Sequence, residues 1–80
     1  MYTLDTRGPV QEQIRALPPE AIQGFARLRE ELETRPWDGD PYLIDKLESP
    51  MRTRTFGAGG LATNLILEDQ QRLDLLLVRA

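Results

Sequence analysis

Two arginines, Arg52 and Arg54, stand two positions apart in the segment Met51–Phe56, whose pattern is that of a strand. Side chains at positions i and i+2 of a strand project from the same face, so the two guanidinium groups are predicted to lie side by side. A guanidinium presents a planar set of N–H donors that matches a phosphate group, and the pair therefore suggests a small anion site. The competing interpretation is a solvated strand face, where arginine is common, and spacing alone favours it.

Arg79 falls at the end of the last predicted strand, where it would complete a cluster of three cations if that strand lies near Arg52 and Arg54. Otherwise it is an ordinary surface arginine. The chain has no histidine and no cysteine, which excludes the usual general base near neutral pH and all thiolate chemistry. Acid–base chemistry would fall to Asp, Glu, Tyr, Lys or Arg, and neither a metal nor a cofactor is predicted.

Three other features are interpreted as structural. Gly59 and Gly60 stand between two predicted strands with no helix after them, so a hairpin turn is favoured over a phosphate-binding loop. Seven acidic residues between positions 30 and 48 lack the spacing of a calcium loop and predict an acidic surface. Trp37 and Tyr42 have the rings needed to stack on nucleic-acid bases, but anchoring of their own loop is the favoured interpretation.

The elements that must position these residues form one α+β domain over residues 1–80. Alternation over Tyr2–Thr6 indicates a short strand. Prolines at positions 9 and 19 each suit the first turn of a helix, and apolar residues at spacings of three and four follow both of them. The first helix is predicted to run through Leu17, where Pro18 ends it, so the two helices form a hairpin.

The second half of the chain changes from helical to extended patterning. Residues 34–50 hold three prolines and scattered acids and predict a long loop. Three strands joined by short turns then form an antiparallel meander, with the last strand central because it is apolar on both faces; they are Met51–Phe56, Leu61–Leu67 and Leu73–Val78. A helical hairpin packed on this small sheet gives a two-layer domain, in the order β-α-α-β-β-β.

Net charge bears on the partners of the chain. The 80 residues carry a net charge of −3, whereas proteins that hold nucleic acid by charge are usually basic. No apolar run approaches the length of a membrane span, and the first residues lack a signal-peptide pattern, so a cytoplasmic location and no membrane partner are expected.

Several strings resemble the RelE/ParE superfamily of type II toxin–antitoxin toxins. Leu17-Pro18-Pro19 resembles the junction between that family's two helices. The segment 51–57 (MRTRTFG) resembles its basic strand ending in glycine, and the segment 65–78 resembles its closing hairpin. The resemblance spans nearly the whole chain through the order and spacing of these strings.

The resemblance implies a toxin that acts as a ribosome-dependent mRNA endonuclease and inhibits translation. Such an enzyme needs no metal, because the 2′-OH of the RNA is the nucleophile. The matching catalytic positions are Arg52, Arg54 and Arg79, which would stabilise charge on the phosphate. The implied partners are an antitoxin, the ribosome with its mRNA, and a second copy of the chain.

The alternative implied by the same resemblance is a RelE-fold protein-interaction module without ribonuclease activity, either gyrase-directed or non-toxic, that binds an antitoxin. This chain has Ala58-Gly59-Gly60 where the family often has a second arginine, and it is acidic where the family is basic. A partner is then expected across an exposed sheet edge or the helical hairpin.

Overall fold

Two α-helices and five β-strands make up the described part of the chain in a computed structural model that covers residues 1–43 and 45–80. The helices are α1 (Pro9–Arg15) and α2 (Pro19–Thr34). The strands are β1 (Thr3–Thr6), β2 (Asp40–Pro41), β3 (Met51–Phe56), β4 (Gly60–Leu67) and β5 (Arg72–Arg79). The predicted α+β class is confirmed.

The strands form one mixed sheet in the order β1-β5-β4-β3-β2. The successive strands β3, β4 and β5 pair antiparallel, which confirms the predicted meander. The first strand joins the sheet parallel to the last one, with Thr3 opposite Arg72. The last strand lies inside the sheet as predicted, between β1 and β4, although the middle strand of the five is β4.

Both helices begin at the prolines that the sequence indicates. Pro9 and Pro19 occupy the first turn of α1 and α2, where a missing N–H leaves no hydrogen bond unmade. The first helix ends at Arg15 and not at Leu17, since Pro18 forces the chain out of the helical conformation and the last turn tightens. Leu17 is buried all the same.

One face of the sheet carries the hydrophobic core, and both helices pack on it. The two helices and the turn between them contribute six buried apolar residues: Val10, Leu17, Ala21, Phe25, Leu28 and Leu32. The sheet contributes six more: Phe56, Ala62, Ile66, Leu73, Leu75 and Val78. Phe25 and Phe56 meet edge to face with ring centres 5.6 Å apart. The domain is therefore two-layered, and its second sheet face has no helix from the described residues on it.

The predicted loop over residues 34–50 contains regular structure. A 3₁₀ turn spans Pro36–Asp38, and β2 then pairs with β3, with Asp40 opposite Thr53. The N–H of Tyr42 donates to the carbonyl of Met51 at 2.9 Å and extends this pairing by one residue. The predicted element order thus lacked β2, since two residues are too short to show periodicity. Ile44 lies outside the described residues.

Neither helix in the described part of the chain combines the length and apolar character that crossing a bilayer requires.

Candidate functional site

Arg52 points toward the helical side of the sheet and is 8% exposed. Its guanidinium donates to three backbone carbonyls, those of Ser49 (3.0 Å), Gly39 (3.1 Å) and Leu47 (2.5 Å). These acceptors all belong to the segment 39–49, so one side chain holds that segment against the sheet. The guanidinium carbon also lies 5.0 Å from the centre of the Trp37 ring, a cation–π distance.

Arg54 lies on the same sheet face as Arg52, which confirms the predicted side-by-side arrangement. Its guanidinium donates to the carbonyl of Arg35 at 2.9 Å and meets the carboxylate of Glu31 at 3.4 Å. The side chain is 12% exposed. The expectation of a solvated strand face is therefore wrong for both arginines, because the loop after α2 and the helix itself cover them.

Arg79 lies on the opposite face of the sheet. It stands across from Leu61, while the next pair, Ala62 and Val78, points into the core. Arg54 is the cross-strand partner of Ala62 and so shares the core-facing side. Side chains alternate between faces along a strand, so the sheet itself separates Arg79 from the other two arginines. The three guanidinium groups do not line one surface.

Glu68, at the turn between β4 and β5, accepts hydrogen bonds from three side chains. Its carboxylate accepts from the indole of Trp37 at 2.8 Å, from the hydroxyl of Tyr2 at 2.7 and 2.8 Å, and from the amide of Gln71 at 2.8 Å. The hydrogen bond from Trp37, followed by those from Tyr2 and Gln71, lowers the pKa of Glu68. The same carboxylate raises the pKa of Tyr2. Trp37 is thus a loop anchor, as predicted.

The sheet face turned away from the helices is rich in apolar side chains, and we call it the open face. Cross-strand pairing and strand alternation place on it Met51, Thr53, Leu61, Thr63, Leu65, Leu67 and Leu77. Tyr42 joins them beside β3 and is 54% exposed. Leu76, at an irregularity in the pairing of β5 with β4, is 42% exposed.

A groove of about 320 Å³ crosses the middle of the open face. Its lining residues come from four segments of the chain: Tyr42, Met51, Thr63, Leu76 and Leu77. Apolar patches of this kind on a folded domain mark surfaces that bind protein or an apolar ligand. This face was not predicted from the sequence, although apolar residues on both sides of β4 indicate that a second surface needs covering.

Charged residues occupy the β1 border of the open face, where Asp74 and Arg72 of β5 are the cross-strand partners of Leu65 and Leu67. Asp5 and Asp74 are cross-strand partners, and each forms an ion pair with an arginine two residues away, Arg7 at 2.7 Å and Arg72 at 3.1 Å. The hydrogen bond and charge of Arg7 lower the pKa of Asp5. This border is close to neutral, because each carboxylate has its own guanidinium.

Asn64 is a polar residue in the core, 1% exposed on the middle strand. It lies between Arg52 of β3 and Leu75 of β5 in the pairing register. Neither its amide nitrogen nor its oxygen has a hydrogen-bond partner among the described residues. An unpaired buried amide weakens a fold, so Asn64 is a candidate for substitution experiments.

Among residues 1–43 and 45–80, no group of three or more acidic side chains is placed to hold a metal ion.

Comparison of the chain with protein-family models, with curated proteins and with solved structures gives no match.

Proposed function

We propose that this chain is a protein-binding module of the toxin–antitoxin type, with a RelE/ParE-like fold, and that it docks its partner on the open face. One observation carries the proposal: the face of the sheet that bears Leu65, Leu77 and the groove has no helix from the described residues on it. A sheet face of this composition is stabilised when a second layer excludes water from it.

The hydrogen bonds of the two arginines favour protein binding over RNA cleavage as the function of this chain. The guanidinium of Arg52 donates to three carbonyls, and that of Arg54 donates to one carbonyl and one carboxylate. A phosphate at this position would have to displace those acceptors and open the segment 39–49. The net charge of −3 also disfavours attraction of RNA.

The test is co-purification from the source organism with open-face variants. We expect the wild-type chain to retain one stoichiometric protein partner, and Leu77→Lys to lose it because a charge cannot be buried in the groove. Ile22→Lys is the matched control, since Ile22 is an apolar residue on α2 that is already 56% exposed. Equal recovery with all three chains, or no stoichiometric partner with any of them, contradicts the proposal.

The second candidate is a ribosome-dependent mRNA endonuclease. It is favoured by the RelE-like order of elements and by Arg79, whose side chain stays exposed. Induced expression would then arrest growth, and new mRNA 5′ ends would appear. Arg79→Ala, which should relieve the arrest, is the informative variant because the exposed Arg79 side chain makes no hydrogen bond or ion pair with the described residues. Normal growth with abundant folded protein rules this candidate out.

A further inference from the structure

The β1 edge of the sheet offers little room for an added strand. At the β1 edge, the N–H of Tyr2 donates to the carbonyl of Glu33 at 2.8 Å, and the Gln11 amide donates to the carbonyl of Thr6 at 3.0 Å. These bonds close both ends of a four-residue strand. A strand added at this edge is therefore disfavoured, and an occupant of the open face would pack on the sheet surface, as α1 and α2 do on the other side.

The charge around the open face is uneven. On the β2 side, Asp40 is exposed, shares the open face with Thr53, and forms no ion pair among the described residues. On the opposite side, the two carboxylates already have guanidinium partners.

From these two observations we propose that the occupant of the open face is a basic amphipathic helix of a partner protein. Its apolar side would fill the groove beside Leu65 and Leu77, and its lysine or arginine side chains would lie over the Asp40 edge. This inference rests on the proposed function and names the chemistry of the partner. Arg79 stands at the end of β5, away from that edge, and would not favour a cation nearby.

The test uses two synthetic peptides of about 18 residues, each about 27 Å long as a helix and so able to span the sheet. Both carry leucine on one side; the other side carries lysine in the basic peptide and glutamate in the acidic one. We expect the wild-type chain to bind the basic peptide at least roughly tenfold more tightly at low ionic strength, with the preference falling as salt screens the charges.

Three variants separate docking from simple charge attraction. Leu77→Glu makes the chain more acidic, so attraction alone would strengthen binding of the basic peptide, whereas docking in the groove predicts its loss. Asp40→Asn should weaken that binding several-fold, and Arg79→Gln should leave it unchanged or strengthen it. Ile22→Glu adds the same charge as Leu77→Glu on α2 and should keep the affinity.

The inference is overturned if the acidic peptide binds as tightly as the basic one, if neither peptide binds, or if Leu77→Glu retains the basic peptide. A natural partner that is lost on Leu77→Lys but docks through an acidic helix would overturn this inference and leave the proposed function standing. A natural partner whose binding is unaffected by Leu77→Lys would contradict both this inference and the proposed function.

Discussion

The guanidinium of Arg52 lies over the Trp37 ring, 5.0 Å from its centre, while its N–H groups hold the carbonyls of the segment 39–49. A single side chain thereby connects β3, the 3₁₀ turn after α2 and the acidic segment that precedes β3. This geometry makes Arg52 a structural residue whose loss should be visible in the stability of the fold.

We expect Arg52→Lys to lower the free energy of unfolding by about 2–3 kcal/mol, since lysine keeps the charge but cannot reach three carbonyls at once. Arg54→Lys should cost less, because one of its two contacts is long and its acidic partner is half-exposed. Urea titration followed by the fluorescence of Trp37, the one tryptophan, measures both. Unchanged stability of Arg52→Lys would contradict the structural role.

Asn64→Leu should raise the free energy of unfolding by about 1–3 kcal/mol, because the substitution replaces an unpaired amide in the core by an apolar side chain of the same branching. Asn64→Ala is the control: it removes the amide but leaves a cavity, so its effect should be smaller or of opposite sign. Thermal and urea unfolding give the values. A large loss of stability in Asn64→Leu would show that the amide has a partner in solution.

Gly24 of α2 lies against the turn after β3. A Cβ on Gly24 would lie 2.8 Å from the backbone nitrogen and 3.0 Å from the Cα of Gly57. Gly24→Ala should therefore destabilise the fold by about 1–3 kcal/mol, although alanine is the better helix former by about 1 kcal/mol. Gln23→Ala, at an exposed neighbouring position, should be neutral or slightly stabilising. A stabilised Gly24→Ala chain would mean that helix and turn separate easily.

The lowered pKa of Glu68 predicts that the fold loses stability in acid. Its pKa is lower in the folded chain than the ordinary value of about 4.3, because Trp37, Tyr2 and Gln71 donate to the charged form. Its contribution is therefore complete above the ordinary value and disappears as the pH falls through the lowered pKa. Titration by NMR should show the pKa of Glu68 rising in Tyr2→Phe, and a value unchanged by that substitution would contradict the assignment.

Unfolding of Glu68→Gln across pH provides an independent measurement of the same group. The difference in unfolding free energy between wild type and variant should be largest near neutral pH and shrink at acid pH, where the wild-type carboxyl is also neutral. A difference that stays constant across the range would place the effect on packing and not on charge.

The meander and the two helices were predictable because their signals are local. Prolines at 9 and 19 mark helix starts, and strands alternate with turns after residue 50. The orientation of Arg52 and Arg54 was not predicted, because it depends on which face the helices cover. Phe56 carried a usable signal: it shares their parity on β3, and a buried phenylalanine places all three side chains toward the core.

The parallel pairing of β1 and the pairing of β2 were beyond local reasoning. Thr3 finds its partner at Arg72, and no pattern near either residue specifies the other. What covers the open face was equally beyond local reasoning, because an apolar strand residue does not show whether a helix of the same chain or a partner packs on it.

The same pairing has a consequence for how the protein forms during synthesis. The one neighbour of β1 in the sheet is β5. The first strand therefore has no pairing partner until nearly seventy further residues have been synthesised. Until then α1, which packs on β5, lacks its support as well. The nascent chain is therefore expected to stay protease-sensitive until the last strand is available, and then to close in one cooperative step.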